Sequence, residues 1–247
     1  MNFLLRPACA LIFAFTLLVP PAGAEPLPNI RPALLGNHKR SLINLLDAEA
    51  MMKRGQGDAI VMFSMGVGAL GYGGGMQVYR GTPKSEILQK ELLGRQRQAQ
   101  FEPAVYGGIR RGAYIDGTVV FAIVDGKPRL RIFLNQEESE LNRNTDFIAP
   151  QLVFLPGNTQ YKGFRYPPSA PGVAGVGLVT LDVDAKGKAT VVKVAYEYPP
   201  NLGFGVAAAG PYRYADFIPA FRNGKPVSCR FSTPVIFQGP GISAKTG

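Results

Sequence analysis

The 247-residue chain is 46% hydrophobic and 18% charged, with a net charge of +10, so it has the apolar content of a packed globular protein and not of a disordered one. His38 is its only histidine, which argues against Ser-His-Asp, Cys-His and multi-histidine metal chemistry within one chain.

The first 24 residues read as an export signal: Arg6, an apolar run from Ala8 to Val19, two prolines, and Ala22-Gly23-Ala24 before Glu25. The run is shorter than the roughly 20 residues needed to span a membrane. Cleavage removes Cys9 and leaves Cys229 as the single thiol. A lone exported thiol is more often a small buried hydrophobe than a nucleophile. The remaining positive charge favours encounter with an anionic envelope surface, and no nucleic acid partner is expected.

Ser41 to Lys53 carries Leu42, Leu45, Leu46 and Ala50 at helical spacing and predicts one amphipathic helix. Ala59 to Tyr79 predicts a hairpin around the glycine-rich stretch 66–75. Thr82 as N-cap, Pro83 at the first helical position and Gly94 as C-cap predict a helix between them. Residues 118–124 and 128–133 flank Asp125-Gly126, the strongest short hairpin signal. Asn135 to Asn144 predicts a short exposed helix whose acids, Glu137, Glu138 and Glu140, form a solvated face. Residues 156–171, rich in Pro, Gly and Ser, predict a linker between domains at 25–155 and 172–247. Leu178 to Val183 alternates and turns at Ala185-Lys186-Gly187 into a strand at 188–196. A helix with Phe204, Ala207 and Ala208 follows, then Phe217-Ile218-Pro219-Ala220, the turn Asn223-Gly224, and a closing strand through Phe237. Pro211 should end or kink that helix.

Val179 to Lys188, Phe204 with Ala207 to Ala209, Phe217-x-Pro219-Ala220, Asn223 to Val227 and Pro234-Val235-x-Phe237 form an ordered set. With it, residues 175–238 resemble the C-terminal domain of the TonB energy-transducer family. The resemblance implies a small α+β domain, a helix against an antiparallel sheet, that contacts outer-membrane receptors from the periplasm. Residues 58–134 read as a degenerate second copy, with Phe101-Glu102-Pro103-Ala104 matching Phe217 to Ala220. Phe147-Ile148-Ala149-Pro150 is a weaker third echo. The expected fold class is therefore α+β, two tandem TonB-C-like units, each an antiparallel sheet with a helix packed on one face.

Other motifs are set aside by context. Gly66 to Gly71 matches a dinucleotide fingerprint but leads into a strand, not a helix. Asp182 to Gly187 mimics a calcium loop, yet Lys186 stands at a ligand position and Lys193 where the twelfth-position Glu belongs. Lys245-Thr246-Gly247 lies at the extreme terminus with no S-x-x-K to supply a nucleophile. No catalytic, cofactor or metal residue is assigned.

The expected function is protein binding by sheet-edge pairing in the periplasm, with an envelope protein or outer-membrane receptor peptide as partner; weak homodimerisation is compatible. Energy transduction is the alternative, and an unrecognised hydrolase a more distant one. The partner-binding residues are Phe231, Val235 and Phe237 on the closing strand, where Pro234 marks an edge, with Asn201 and Leu202 beside them.

Overall fold

The computed structural model describes residues 27–143, 146–155 and 165–238. The export signal, the 156–164 part of the predicted linker and the Lys245-Thr246-Gly247 motif lie outside them. Among the described residues no helix is long and apolar enough to cross a membrane.

The architecture is α+β with antiparallel sheets. In the N-terminal half, β1 (Ile30–Arg31), β2 (Ala59–Val67), β3 (Gly73–Gly81), β4 (Ala104–Tyr106), the long β5 (Ile109–Val124) and β6 (Lys127–Phe133) share one sheet. Helices α1 (Leu42–Leu45), α2 (Ala48–Lys53) and α3 (Glu86–Arg95) lie on one side of it. Leu42, Met51, Leu88 and Leu92 meet Val61, Phe63, Ile115 and Phe121 in the first core. After α4 (Glu138–Arg143) come β7 (Phe147–Ile148) and β8 (Gln151–Phe154). The C-terminal half holds β9 (Gly175–Val183), β10 (Ala189–Tyr198), α5 (Phe204–Tyr212), β11 (Phe217–Ile218), β12 (Ala220–Arg222), β13 (Lys225–Val227) and β14 (Cys229–Phe237). Its main sheet has the order β10-β9-β14. Val179, Leu181, Phe204, Ala208, Phe217, Phe231 and Phe237 fill the second core, with Phe147, Ala149 and Leu152.

Three local readings change. The predicted 41–53 helix is two, because the Asp47 carboxylate accepts the Ala50 N–H at 2.9 Å and starts α2 afresh. The second helix begins at Glu86, not Pro83. Buried Gln56 sets that start: its Oε1 accepts the Leu88 N–H at 2.8 Å and its Nε2 donates to the Lys84 carbonyl. Thr82 instead accepts the Ile60 N–H, and Gly94 lies inside the helix, which runs on to Arg95. Pro211 is also inside a helix, but α5 ends one residue later, so only the last turn loses a donor.

Strand registers recur along the chain. In β2–β5, Ala59 stands opposite Phe121 and Val67 opposite Ala113; in β9–β14, Gly175 stands opposite Phe237 and Val183 opposite Cys229. Every residue of the second ladder lies 116 positions after its counterpart in the first. The same displacement carries Ala104–Arg111 onto Ala220–Val227, and Phe63–Val78 onto Val179–Val194. It also carries the turns: Gly71 (φ 82°) onto Gly187 (φ 86°), and Gly107-Gly108 onto Asn223-Gly224, four residues all at positive φ. The Phe101 N–H donates to the Gly71 carbonyl at 2.8 Å, as that of Phe217 donates to Gly187 at 3.0 Å. Phe101 and Phe217 are both buried. The cores match by exchanging volume. Leu88 faces a sheet carrying Ala59 and Val61, whereas its counterpart Phe204 sits on Gly175 and Gly177, where any Cβ would strike it.

Candidate functional site: free edges and the junction between halves

Strand pairing runs across the two halves. β8 pairs with β5 through Gly112–Phe154, Ala113–Val153 and Tyr114–Leu152, and also with β11 through Leu152–Phe217 and Gln151–Ile218. β7 pairs with β12. The Gln151 amide completes the connection by donating to the Ala33 carbonyl at 2.9 Å and accepting the Ala33 N–H at 2.7 Å.

The acidic cluster belongs to this junction, which corrects its reading as a solvated face. Glu140 is buried and takes a bidentate pair from Arg222, both bonds 2.8 Å, while the Arg222 guanidinium lies over Phe147. Glu137 accepts the Ser232 N–H at 2.9 Å. Only Glu138 is exposed.

Deeper in the junction, Asp116 of β5 accepts the Ser64 hydroxyl at 2.5 Å and also bonds the Thr233 hydroxyl of β14. The residue as a whole is half-buried, with its carboxyl group enclosed by surrounding protein. Burial pushes its pKa up to about 6, against the lowering effect of the two hydroxyls. Burial also raises the Tyr212 phenol, with the Asp116 charge adding to it, and Tyr212 bonds Thr233 as well. A cavity of about 180 Å³ opens beside this cluster, lined by Ser64, Tyr114, Tyr212 and Pro234 among others. Ser64, Thr233 and Tyr212 are each hydrogen-bonded in this cluster, which joins β5 of the first half to β14 of the second. The Cys229 thiol is half-buried and pushed up to about 12 by burial, which keeps it protonated at neutral pH. Among the described residues no cluster of metal-ligating side chains occurs.

The five predicted partner-binding residues fall in two places. Phe231 and Phe237 are buried in the second core, Phe237 against the Phe204 ring at 5.2 Å, and Val235 is half-buried beside them. All three are on β14. Asn201 and Leu202 lie in the loop after β10, which β9 separates from β14, and Leu202 packs against the second core. Asn201 is exposed at φ 62°. The Leu202 N–H is held by Glu197, which also accepts the Gly203 and Gly205 N–H groups and so caps α5. These bonds, that from Gly205 first, lower the Glu197 pKa.

The outer edges differ in how far they are blunted. On β14, Glu137 takes the Ser232 N–H, so that N–H points away from β9; Pro234, two residues on, faces the same way and has no donor. On β3 the Gln96 side chain accepts the Met76 N–H at 2.7 Å. β6 carries Pro128 and alternating Lys127, Arg129 and Arg131, which repel added strands. β10 has no proline over its ten residues, and what blunts it is exposed Lys193 together with register shifts at 189/191 and 194/196. Among the described residues no strand pairs with its outer edge; Val194, on the face that carries α5, is 42% exposed, and Tyr196 and Tyr198, turned to the opposite face by the register shift between 194 and 196, are 54 and 59% exposed. Sequence reasoning missed β10 because its alternation looked like an ordinary half-buried strand. The register shift that turns Tyr196 and Tyr198 to the face opposite α5 is visible only in the folded hairpin.

The fold is thus antiparallel α+β, with β10 a long edge strand left unpaired on one side among the described residues. No family model matches the chain, and neither a curated protein nor a solved structure does.

Proposed function

We propose that the chain is a periplasmic binding module of two TonB-C-like units that captures an extended segment of an envelope protein by pairing it with β10. The observation that carries this is the free β10 edge with Val194, Tyr196 and Tyr198 exposed. Main-chain pairing supplies affinity in such recognition, and alternate side chains supply selectivity. Asn201 and Leu202 stay in this site as neighbours of its C-terminal end. Phe231, Val235 and Phe237 support it from the core and do not touch the partner.

The 116-residue displacement of Ala59–Phe121 onto Gly175–Phe237 supports reading the halves as copies of one unit, whose opening strands at Ile30 and Phe147 lie 117 positions apart. On this reading Phe147-Ile148 is no third echo. It opens the second copy, as Ile30-Arg31 opens the first, each pairing with the strand after the Phe-x-Pro-Ala turn. Export follows from the leader at 1–24, and the N-terminal sequence of the secreted protein, expected at Glu25, tests it.

The binding reading is tested by backbone amide shifts of residues 25–247 titrated with synthetic outer-membrane receptor peptides. Shifts should concentrate at 193–198 and 201–206. Shifts confined to 228–237, or no saturable shift with any peptide, overturn it.

A further inference from the structure

One end of the first half carries an unpaired basic face. Leu130 and Ile132 of β6 turn inward to the first core, so Lys127, Arg129, Arg131 and Phe133 turn to the opposite side, away from the helices. The ladders extend this side across the sheet. Lys127 stands opposite Val124, Arg129 opposite Ala122, and Arg131 opposite Val120, which in turn faces Ile60. In the next row Phe133 faces Thr118, Thr118 faces Met62, and Met62 faces Arg80. Lys127, Arg129 and Arg131 on β6 and Arg80 on β3, three strand spacings or roughly 14 Å across, therefore border this side, with the row through Thr118 as its closed end.

Lys127, Arg129, Arg131 and Arg80 are all exposed, and none forms an ion pair with a described residue. Arg131 lies over the Phe133 ring at 4.8 Å, which orders its stem and leaves its charge unmet. Ile60 and Val124 stand 42 and 45% exposed between the cations. The carboxylates at this end are Asp125 in the β5–β6 turn and Asp58, which is engaged by the Ile123 N–H at 2.8 Å. The rest of this sheet face is covered, Ser64 and Asp116 by the C-terminal half and Thr118 by its bond to the Asn135 carbonyl. The open part is the basic part.

We propose that this face, where Lys127, Arg129, Arg131 and Arg80 surround Ile60 and Val124, docks on an anionic phospholipid surface. A flat sheet face with long cationic side chains at its border and short aliphatic ones inside matches a headgroup layer. The cations meet phosphates, and the aliphatic groups need only shallow burial. A protein partner would require a larger apolar centre than Ile60 and Val124 provide. Such docking leaves the β10 edge unused and does not depend on the peptide reading.

The test is flotation of residues 25–247 with vesicles of phosphatidylglycerol and phosphatidylethanolamine, against vesicles of phosphatidylcholine alone. Co-flotation should occur with the anionic vesicles and weaken with salt. Arg129→Glu with Arg131→Glu should lower partitioning at least about tenfold. Lys90→Glu with Lys225→Glu changes the net charge equally at other places and should leave most of it. Should the first pair fail to fold, Arg129→Gln with Arg131→Gln gives a smaller loss in the same direction. No flotation with anionic vesicles, or equal loss from both Glu pairs, overturns the proposal. Peptide shifts at β10 should be unchanged in either variant.

Discussion

At Asp116 an acid is kept at the meeting of two halves, and its chemistry sets a pH dependence. Its folded pKa of about 6 lies above the ordinary 3.8, so the folded state holds this proton more tightly than the unfolded chain. The stability it contributes is complete below about pH 4 and is lost as pH rises through 6. Asp116→Asn should flatten that decline and raise stability at pH 7 by roughly 1–3 kcal/mol; denaturant titrations at pH 4.5 and 7 measure it. Gly71 and Gly187 make a paired test. Both adopt positive φ, and a Cβ on either would run into the carbonyl of the following Phe101 or Phe217. Gly71→Ala and Gly187→Ala should each cost roughly 2–4 kcal/mol. A near-neutral change at one alone would separate the two turns. The two glycine turns are legible in the sequence; the Asp116 enclosure is not, since Asp116 sits in an ordinary strand and becomes enclosed only when Thr233 arrives from 117 positions away.

Elements were legible where pattern and local chemistry agree. Asp125-Gly126 and Asn223-Gly224 both form the positive-φ turns their residues require, and the Asp184 carboxylate folds back on the Lys186 and Lys188 N–H groups as a hairpin turn. The strand before it was read three residues short. Gly175-Val176-Gly177 looks like loop, yet these glycines are strand residues because Phe204 occupies the space of their side chains. That shortfall explains why the two hairpin-to-Phe spacings appear unequal from sequence. From Ala59 to Phe101 and from Gly175 to Phe217 they are the same. Phe217→Ala should cost about 3–5 kcal/mol, because the ring lies against both Tyr212 and Phe231 in the core. An unchanged melting temperature would contradict that placement. The β10 edge predicts that Tyr196→Lys weakens peptide binding at least about tenfold with little loss of stability, since it removes a contact ring and adds a second exposed lysine beside Lys193 on the edge. Isothermal titration with the receptor peptides reads it.

For the molecule as a whole, a linker suggested separable domains, but the strand it precedes or follows matters more than its composition. β8 is hydrogen-bonded to β5 of the first half and β11 of the second, and Glu140–Arg222 and Asp116–Thr233 join the same surfaces. Residues 25–247 should therefore melt in one calorimetric transition, with calorimetric and van't Hoff enthalpies equal; two resolved transitions would mean that the junction is weak. Coupling of this kind leaves β14 inside the molecule and β10 outside it, which is why the binding edge moves from one to the other. The most direct measurement is photo-crosslinking in intact cells with a photoreactive residue placed at Tyr196 or, in a second strain, at Pro234. Adducts to an extended segment of one envelope protein from position 196, and none from 234, are the predicted result. Adducts from 234 with none from 196 would contradict the account.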